Sequence, residues 1–245
     1  MMEVMQGVYK ISGIWDQADL GANVYLLALG GGFTLVDAGY RNKYRQILKR
    51  IYRLGFTPTR IHHIIVTHHH PDHVGGLAAL KGLTGAKVIA HKLDAPYIDG
   101  RMLQAGPSRP GWLKRRSGIF SDMLATPPCP VDIEVEDGNE LPVAGGIKII
   151  HTPGHTPGSI CIYLKQERLV FTGDILARRL GVKLPSMVFT ADVQQEISSI
   201  RKLAELDFET ACFGHGFPLR KDAGKIVAKF ANKLKVPRQA LNPKP

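Results

Sequence analysis

The sequence predicts an α/β (α+β) protein in which two mixed β-sheets pack together and helices cover their outer faces. Two observations predict this architecture. Both halves of the chain show a similar order of elements, in which strands that adjoin in sequence are followed by helices. Of the 245 residues, 44% are hydrophobic and 22% are charged, which is typical of a globular protein and excludes a disordered chain.

The individual elements follow from apolar periodicity and from the turn residues between them. In the first half the predicted strands are Val8–Ile11, Asn23–Leu29, Phe33–Asp37, Arg60–Thr67 and Lys87–Ala90, and the predicted helices are Lys43–Leu54 and Leu77–Leu83. In the second half the predicted strands are Ile147–His151, Ser159–Leu164, Arg168–Thr172 and Thr210–Phe213. A helix over Val193–Leu206 and a lysine-rich helix near the end complete the prediction.

A different kind of sequence separates the two halves. Ala95–Pro130 contains six prolines, several glycines and apolar residues without a clear period. Because so long an irregular insertion is uncommon in an ordinary connection, we expect a lid or binding loop. A linker is the alternative, but Trp112 makes the segment too apolar for one. Trp112, Arg115 and Arg116 are therefore candidate substrate-binding residues.

The net charge of +11 is concentrated near the end of the chain, where eight basic residues and one acid follow Gly216. Such a run could contact nucleic acid or an anionic surface. The simpler interpretation is the solvated face of a helix. Lysines recur every four residues from Lys225 to Lys233, while Ile226, Val227, Phe230 and Leu234 line another side.

Three further features bear on the cellular setting. No run of about 18 uninterrupted apolar residues occurs, so no transmembrane helix is predicted. Met1–Gly7 lacks the basic and apolar regions of a signal peptide. The three cysteines, Cys129, Cys161 and Cys212, form no CxxC pair, which argues against a disulfide scaffold and favours a reducing, cytoplasmic setting.

Histidines are the most informative residues of the sequence. Four of the ten, together with an aspartate, fall within the seven residues Thr67–His73, directly after a predicted strand. Burying so many titratable groups is costly unless a cation compensates for it. Imidazole nitrogen and carboxylate oxygen are ligands that suit zinc, iron or manganese. The segment therefore predicts a metal site.

Three later residues extend this site. His155, Asp174 and His215 each follow a predicted strand and each has a glycine beside it, which allows the backbone to turn. With the side chains of the first motif they make a set of seven candidate ligands. Seven ligands are too many for one zinc ion and suit two ions that share a bridge. The seven candidates are His68, His70, Asp72, His73, His155, Asp174 and His215.

These motifs together resemble the motif series of the metallo-β-lactamase superfamily, over Val8 to about Gly216. The resemblance implies an αββα sandwich with the metals at one edge of the β-layers, and we expect residues 1–245 to form one such domain with a lid at 95–130. The implied ligands are His68, His70 and His155 for the first metal, Asp72, His73 and His215 for the second, and Asp174 as the bridge. Asp37 matches an acidic position near the family site, in a supporting role.

The chemistry expected of such a site is hydrolysis. Two metals about 3.5–4 Å apart lower the pKa of a shared water and give a bridging hydroxide. Asp72 is placed to orient this nucleophile and to move a proton, as both ligand and acid/base. The expected cofactors are two divalent ions, Zn²⁺ first, with iron or manganese as alternatives. Ser159 lies near the motif, but nothing in the sequence gives it a catalytic triad.

The substrate is less closely defined. Asp174 argues against β-lactam hydrolysis as the main activity, because the family's β-lactamases generally lack a bridging aspartate. Only thirty residues follow His215, which is short for the glutathione-binding region of glyoxalase II. A small-molecule ester, thioester or lactone is the first choice. The alternatives are a phosphodiester or nucleic acid, an iron-dependent dioxygenase or oxidoreductase reaction, and metal binding without catalysis.

Overall fold

The first half of the chain forms a seven-stranded mixed sheet in a computed structural model that describes residues 1–12, 22–103 and 126–235. Its strands are β1 (Met2–Met5), β2 (Val8–Lys10), β3 (Tyr25–Leu27), β4 (Phe33–Val36), β5 (Ile61–Ile65), β6 (Lys87–His91) and β7 (Ile133–Val135). They lie in sequence order. The pairs from β1 to β4 are antiparallel, and the pairs from β4 to β7 are parallel.

The second half forms a five-stranded mixed sheet and a small separate hairpin. The sheet consists of β8 (Glu140–Leu141), β9 (Ile147–His151), β10 (Ile160–Leu164), β11 (Leu169–Phe171) and β14 (Thr210–Cys212), and the hairpin of β12 (Ala177–Arg178) and β13 (Val182–Lys183). The sheet order is β14-β11-β10-β9-β8. Only the β11–β14 pair is parallel.

Helices connect the strands on the outside of both sheets. The α-helices are α1 (Tyr44–Arg53), α2 (Pro71–Val74), α3 (Leu77–Thr84), α4 (Ala95–Ile98), α5 (Val193–Ala204) and α6 (Ala223–Ala231), and short 3₁₀-helices cover Arg41–Lys43, Pro58–Arg60 and Met187–Phe189. The Asp192 side chain accepts a hydrogen bond from the Gln195 backbone and so begins α5. Within the described ranges, no helix is long and apolar enough to cross a membrane.

Alternate residues of the strands enter different cores because successive side chains of a strand point to opposite faces. In β5, Ile65 joins the core between the two sheets, whereas Ile64 joins the core under α1 and α3. In β10, Ile162 faces the inter-sheet core and Tyr163 faces α5 and α6. The layers are therefore helix, sheet, sheet and helix, which confirms the predicted architecture.

Each predicted strand and helix has a counterpart in the structure, with ends that differ by a few residues. The sequence did not predict β1, β7, β8 or the β12–β13 hairpin. The lysine-rich helix has the expected solvated face, with Lys225 and Lys229 exposed and Val227 buried. The prediction was wrong for Ile226, which we expected on the apolar side of this helix. Its side chain is 39% exposed, because the buried face of α6 consists of Ala223, Val227 and Ala231.

The predicted lid is described only at its ends. At its start α4 buries Ala95 and Ile98, and near its end Cys129 is buried in the core beneath α1 and α3. Both ends of the 95–130 segment are thus packed on the first sheet. Trp112, Arg115 and Arg116 lie outside the described residues, and the lid stays a prediction.

The layered packing predicts the effect of truncating a core side chain. Leu35 in β4 is fully buried among the residues under α1 and α3. Leu35→Ala should lower the free energy of unfolding by about 2–5 kcal/mol, because it removes buried methyl groups and leaves a cavity. Urea denaturation measures this change. The control Leu83→Ala removes a side chain that is 57% exposed and should change stability by less than about 0.5 kcal/mol; similar losses in both would contradict the assigned core.

Candidate metal centre

The candidate ligands lie on loops that leave the two sheets at one edge. The motif His68–His73 follows β5, and Asp37 follows its parallel neighbour β4. His155 follows β9, Asp174 follows β11 and His215 follows β14. These last three strands run in one direction, because β9 and β11 are both antiparallel to β10 and β14 is parallel to β11. The topology therefore brings the five segments together.

Three histidines form the first group of side chains. The ring centroids of His68, His70 and His155 are 4.7–4.8 Å apart, and each pair of rings meets edge to face. Nε2 of His155 lies 3.0 Å from Nδ1 of His70. One nitrogen from each ring lies within 4.8 Å of the other two, which is the spacing of ligands around one ion.

Asp72, His73 and His215 form the second group, whose ligand atoms also lie within 4.8 Å of one another. Nε2 of His215 is 3.2 Å from Oδ2 of Asp72, and the same nitrogen is 3.1 Å from Oδ2 of Asp174. Asp174 also approaches the first group, since its Oδ2 lies 3.7 Å from Nε2 of His155. The structure thus brings all seven predicted side chains together, with Asp174 between the groups.

The two groups differ in their electrostatics. Burial lowers the pKa of His70 to about 3 and that of His155 to about 4, and for His155 the nearby Asp174 only partly opposes the effect. Burial would also lower the pKa of His73, but the carboxylates of Asp37, Asp174 and Asp72 raise it well above its usual value. Burial also lowers the pKa of His68, so the surroundings of the first group favour the neutral imidazole, the form in which histidine binds metals.

In the second group, carboxylates lie beside imidazoles and raise their pKa values. The pKa of His215 is raised to about 9 against the effect of burial, because Asp174 and Asp72 lie beside it. The charges of His215 and His73 in turn hold the pKa of Asp174 well below its ordinary value, although burial opposes this. A metal cation would supply the positive charge that these protons carry, and its binding would release them.

Unpaired atoms test whether a cation fits. Among the described residues, Nε2 of His68, Nε2 of His73 and Oδ1 of Asp174 are buried and find no hydrogen-bond partner, although the last two atoms lie 3.5 Å apart. Buried polar atoms are nearly always hydrogen-bonded, because leaving one unpaired costs about 1–3 kcal/mol. All three atoms belong to the clusters just described, and histidine nitrogen and carboxylate oxygen are ligands for divalent metals. The residues present therefore fit a metal.

Asp37 holds His73 in place, as its sequence position suggested. Its Oδ2 lies 2.8 Å from Nδ1 of His73, and its Oδ1 accepts hydrogen bonds from the backbone and hydroxyl of Thr67. Asp37 adopts a left-handed backbone conformation, with φ of 63°, at the end of β4. A carboxylate on the far nitrogen of a metal-binding histidine fixes the ring and its tautomer.

The sequence analysis missed Asp94, which ties two ligand loops together. This buried carboxylate accepts hydrogen bonds from the His69 backbone at 2.9 Å and from the Thr156 hydroxyl at 2.8 Å. It also accepts one from the Gly158 backbone at 2.7 Å, and Nδ1 of His69 lies 3.0 Å away. Burial would raise its pKa, yet the hydrogen bonds from His69 and Thr156 lower it. A single acid after a strand carries no sequence signal for this role.

Glu196 in α5 is a second residue that the sequence analysis missed. Its Oε1 lies 3.8 Å from Nδ1 of His155, and its Oε2 accepts a 3.5 Å hydrogen bond from Thr190. The Thr190 hydroxyl lies 3.3 Å from the same His155 nitrogen. Burial raises the pKa of Glu196 to about 8. When Nδ1 of His155 donates to Thr190, Nε2 keeps its lone pair for a metal.

Close approaches of backbone segments also shape the site. A Cβ atom at Gly214 would overlap Oδ1 of Asp174, so the His215 loop reaches the carboxylate only with glycine there. Two side chains from the first strands hold this loop. Lys10 and Asn23 both donate hydrogen bonds to the carbonyl of Gly216, at 2.6 Å and 2.8 Å. Lys10 of strand β2 thus supports the loop of the last ligand through Gly216, 206 residues further along the chain.

The remaining histidines stand outside the two groups. His69 stacks on Tyr97 with ring centroids 4.4 Å apart. His91 stacks on His151 at 4.0 Å. His62 and His63 lie in β5, exposed and half-buried, and Ser159 only completes hydrogen bonds around Thr156.

The sequence profile of the Metallo-beta-lactamase superfamily matches residues 18–215. The chain belongs to this superfamily. It is a metal-dependent hydrolase, in agreement with its relatives. One relative is the probable metallo-hydrolase YflN of Bacillus subtilis, which is 30% identical over 236 residues, covering 87% of this chain and 88% of the relative. Another is the hydroxyacylglutathione hydrolase of Rhizobium meliloti, 30% identical over 193 residues, which make up 78% of this chain but only 60% of that protein.

Solved structures of the superfamily share the fold. A metallo-beta-lactamase family protein from Thermus thermophilus superposes with a TM-score of 0.70 at 25% identity, covering 94% of this chain and 78% of that one. The subclass B3 metallo-beta-lactamase BJP-1 of Bradyrhizobium japonicum gives a TM-score of 0.69 at 24% identity, covering 95% and 89%. These structures support the layered architecture.

The contacts of Asp94 predict a structural role that a substitution can measure. In Asp94→Asn one carboxylate oxygen, which accepts hydrogen bonds, is replaced by an amide NH₂ group, which donates them. This group would face an N–H or O–H donor of the neighbouring loops, so a buried hydrogen bond is lost. We expect the free energy of unfolding to fall by about 1–3 kcal/mol. The zinc affinity should also fall about 10-fold or more, because two ligand loops lose their shared support. Chemical denaturation and chelator competition measure the two effects.

A matched control separates this role from the loss of an ordinary charge. Asp207→Asn breaks only an exposed pair with Arg168 and should change neither quantity measurably. If Asp94→Asn behaved in the same way, Asp94 would not hold the loops.

Proposed function

We propose that the protein is a dinuclear metal-dependent hydrolase of a small acyl substrate: an ester, a thioester or a lactone, with a thioester first. The observation that carries the dinuclear proposal is the position of Asp174. Its Oδ2 lies 3.1 Å from Nε2 of His215 and 3.7 Å from Nε2 of His155. A single carboxylate in contact with both groups is suited to bridge two ions.

Each residue has a proposed part in binding. His68, His70 and His155 would hold one ion, Asp72, His73 and His215 the other, and Asp174 both. Two divalent ions, Zn²⁺ first, would supply a water of lowered pKa and polarise the acyl oxygen of the substrate. Asp37 orients His73, and Thr190 with Glu196 orients His155, so that the chain fixes the ring nitrogens before the ions arrive.

Asp72 is the proposed acid/base. Its side chain is 18% exposed, whereas that of Asp174 is 8% exposed, so Asp72 has the freer access to substrate and solvent. The neighbouring charge of His73 and a hydrogen bond from His215 lower its pKa, although burial opposes them. As a carboxylate it can accept a proton from the attacking water. It can then return that proton to the departing thiolate or alkoxide.

The names of relatives support thioester chemistry. Relatives named hydroxyacylglutathione hydrolase come from Rhizobium meliloti and Maricaulis maris, each about 30% identical. This chain covers only 60% and 51% of their lengths. We therefore propose an acyl thioester as the substrate of this protein and do not propose that its thiol portion is glutathione. The proposed lid, with Trp112, Arg115 and Arg116, would add further contacts to the substrate.

The proposed setting is a reducing, cytoplasmic one, with residues 1–245 acting as a single domain. The cysteines support the reducing setting, because Cys129, Cys161 and Cys212 are all buried and free of disulfides. Burial raises the pKa of Cys161 to about 12, so this thiol is unreactive.

Elemental analysis tests the dinuclear site. The zinc-saturated protein should hold about two ions per chain. Asp174→Asn should lose the second ion, because the ions then repel each other with less compensation, and turnover should fall at least ~100-fold. The control Asp222→Asn removes only an exposed charge beside Lys225 and should keep both ions. One ion per wild-type chain, even at saturation, would exclude the dinuclear assignment.

A substrate panel tests the reaction. With equal metal content, kcat/KM should be highest for acyl thioesters, followed by oxyesters and lactones. Chelation should abolish hydrolysis and zinc should restore it. Faster cleavage of a phosphodiester such as bis(p-nitrophenyl) phosphate would favour the phosphodiesterase alternative. Oxygen consumption with a persulfide by the iron-loaded protein would favour a dioxygenase.

A further inference from the structure

Four large apolar side chains lie exposed on segments that adjoin the ligand loops. They are Met187, Val188 and Phe189 of the 3₁₀-helix before α5, and Phe217 directly after the His215 loop; we call them the apolar rim. They are 65%, 69%, 50% and 49% exposed. Large apolar side chains exposed together, with polar groups around them, commonly mark a binding site.

The chain directly after Met187–Phe189 is fixed against the loop of His155. The backbone of Ala191 donates a hydrogen bond to the carbonyl of His155 at 3.2 Å, and that of Asp192 donates to the carbonyl of Gly154 at 2.8 Å. The Phe189 ring lies edge-on to the ring of His70, with centroids 6.4 Å apart. Phe189 is therefore in reach of any molecule that contacts His70.

Phe217 is fixed in a similar way beside the second group. The backbone of Arg178 in β12 donates to the carbonyl of His215 at 3.1 Å, and the backbone of Phe217 donates to the carbonyl of Arg178 at 3.3 Å. Nζ of Lys10 lies 5.3 Å from the centre of the Phe217 ring. The rim thus has one ring near the ligand His70 and another on the chain two residues after His215.

We propose that the apolar rim receives the hydrocarbon part of the substrate, so that the preferred substrates carry an apolar acyl chain of about six to ten carbons. The proposal rests on the proposed function, and it specifies the acyl group. In the proposed reaction the acyl carbon lies between the two groups of ligands, so the chain attached to it can pass the Phe189 ring, which lies near His70. This ring is half exposed and offers apolar surface to the chain.

The acyl chain is favoured over other occupants by the contact between Phe189 and His70. A second copy of the protein seated on the rim would cover the ligand His70, whereas an acyl chain places its reacting carbon beside that ligand. Burying an acyl chain against apolar side chains would increase the binding affinity strongly. Each methylene removed from water contributes about a fourfold gain in binding, and burying a phenylalanine ring contributes about 10-fold to 100-fold.

The experiment compares acyl thioesters of one short thiol, N-acetylcysteamine, from acetyl to decanoyl. In the zinc-loaded wild-type protein, kcat/KM should rise with chain length up to about eight carbons. Phe189→Ala should lower kcat/KM for the decanoyl thioester about 10-fold to 100-fold and for the acetyl thioester less than about twofold. Phe189→Leu should restore most of the loss, and Val188→Ser provides a second variant of the rim with the same expected direction.

Tyr52→Ala is the matched control. Tyr52 lies in α1 and is 63% exposed, so its removal deletes a comparable aromatic surface away from the centre. The variants should all keep the metal content of the wild type. A chain-length profile that is flat, or that changes equally in Phe189→Ala and Tyr52→Ala, would overturn the proposal.

Binding of product-like carboxylates separates this proposal from the reaction on which it rests. Calorimetry should show that decanoate binds at least 10-fold more tightly than acetate, and that Phe189→Ala removes most of the difference. This result without thioester hydrolysis would refute the proposed reaction and still support the rim. Equal affinities for acetate and decanoate would overturn the rim. Dimers that dissociate on Phe189→Ala, with an unchanged chain-length profile, would overturn it as well and assign the rim to a subunit contact.

Discussion

The buried charge of Asp174 is the constraint on which the rest of the site depends. Its carboxylate is 7% exposed and lies among imidazoles from other segments of the chain. A buried carboxylate is tolerated only where positive charge or hydrogen-bond donors compensate for it. The raised pKa values of His73 and His215 show how strongly the surroundings draw in positive charge. Because the buried carboxylate needs positive charge nearby, this edge of the sheets is suited to bind divalent cations.

The supporting contacts follow from the same constraint, because ligands that must converge on a small volume need fixed loops. Asp37 fixes His73, Asp94 joins the loops of His69 and Thr156, and Glu196 lies behind His155. Each is a buried acidic side chain next to a ligand loop, and each acts by positioning other groups. The segments that carry the apolar rim are joined to these loops by backbone hydrogen bonds and by the contact of Phe189 with His70.

Most strands of the fold and all seven candidate ligands could be predicted from the sequence, for physical reasons. The seven ligand candidates stand out because metal-binding residue types follow strands, next to glycines, at a density that no apolar core tolerates. Central strands such as β10 stand out because they are apolar on both faces. Strands β7 and β8 were missed because they are short and partly exposed. Asp94 and Glu196 were missed because their roles depend on contacts with residues 25 to 64 and 41 positions away, and an isolated acid does not reveal such contacts.

The hydrogen bonds from Lys10 and Asn23 to Gly216 have a consequence for the biosynthesis of the protein. A ribosome releases the segment with His68, His70, Asp72 and His73 long before His215, and Lys10 and Asn23, which support the His215 loop, are made earlier still. With the proposed ligands, full metal loading therefore has to wait until His215 has been synthesised. A prematurely terminated product would keep the histidine-rich loop but lack the closing ligand, so metal retention reports on the completeness of each molecule.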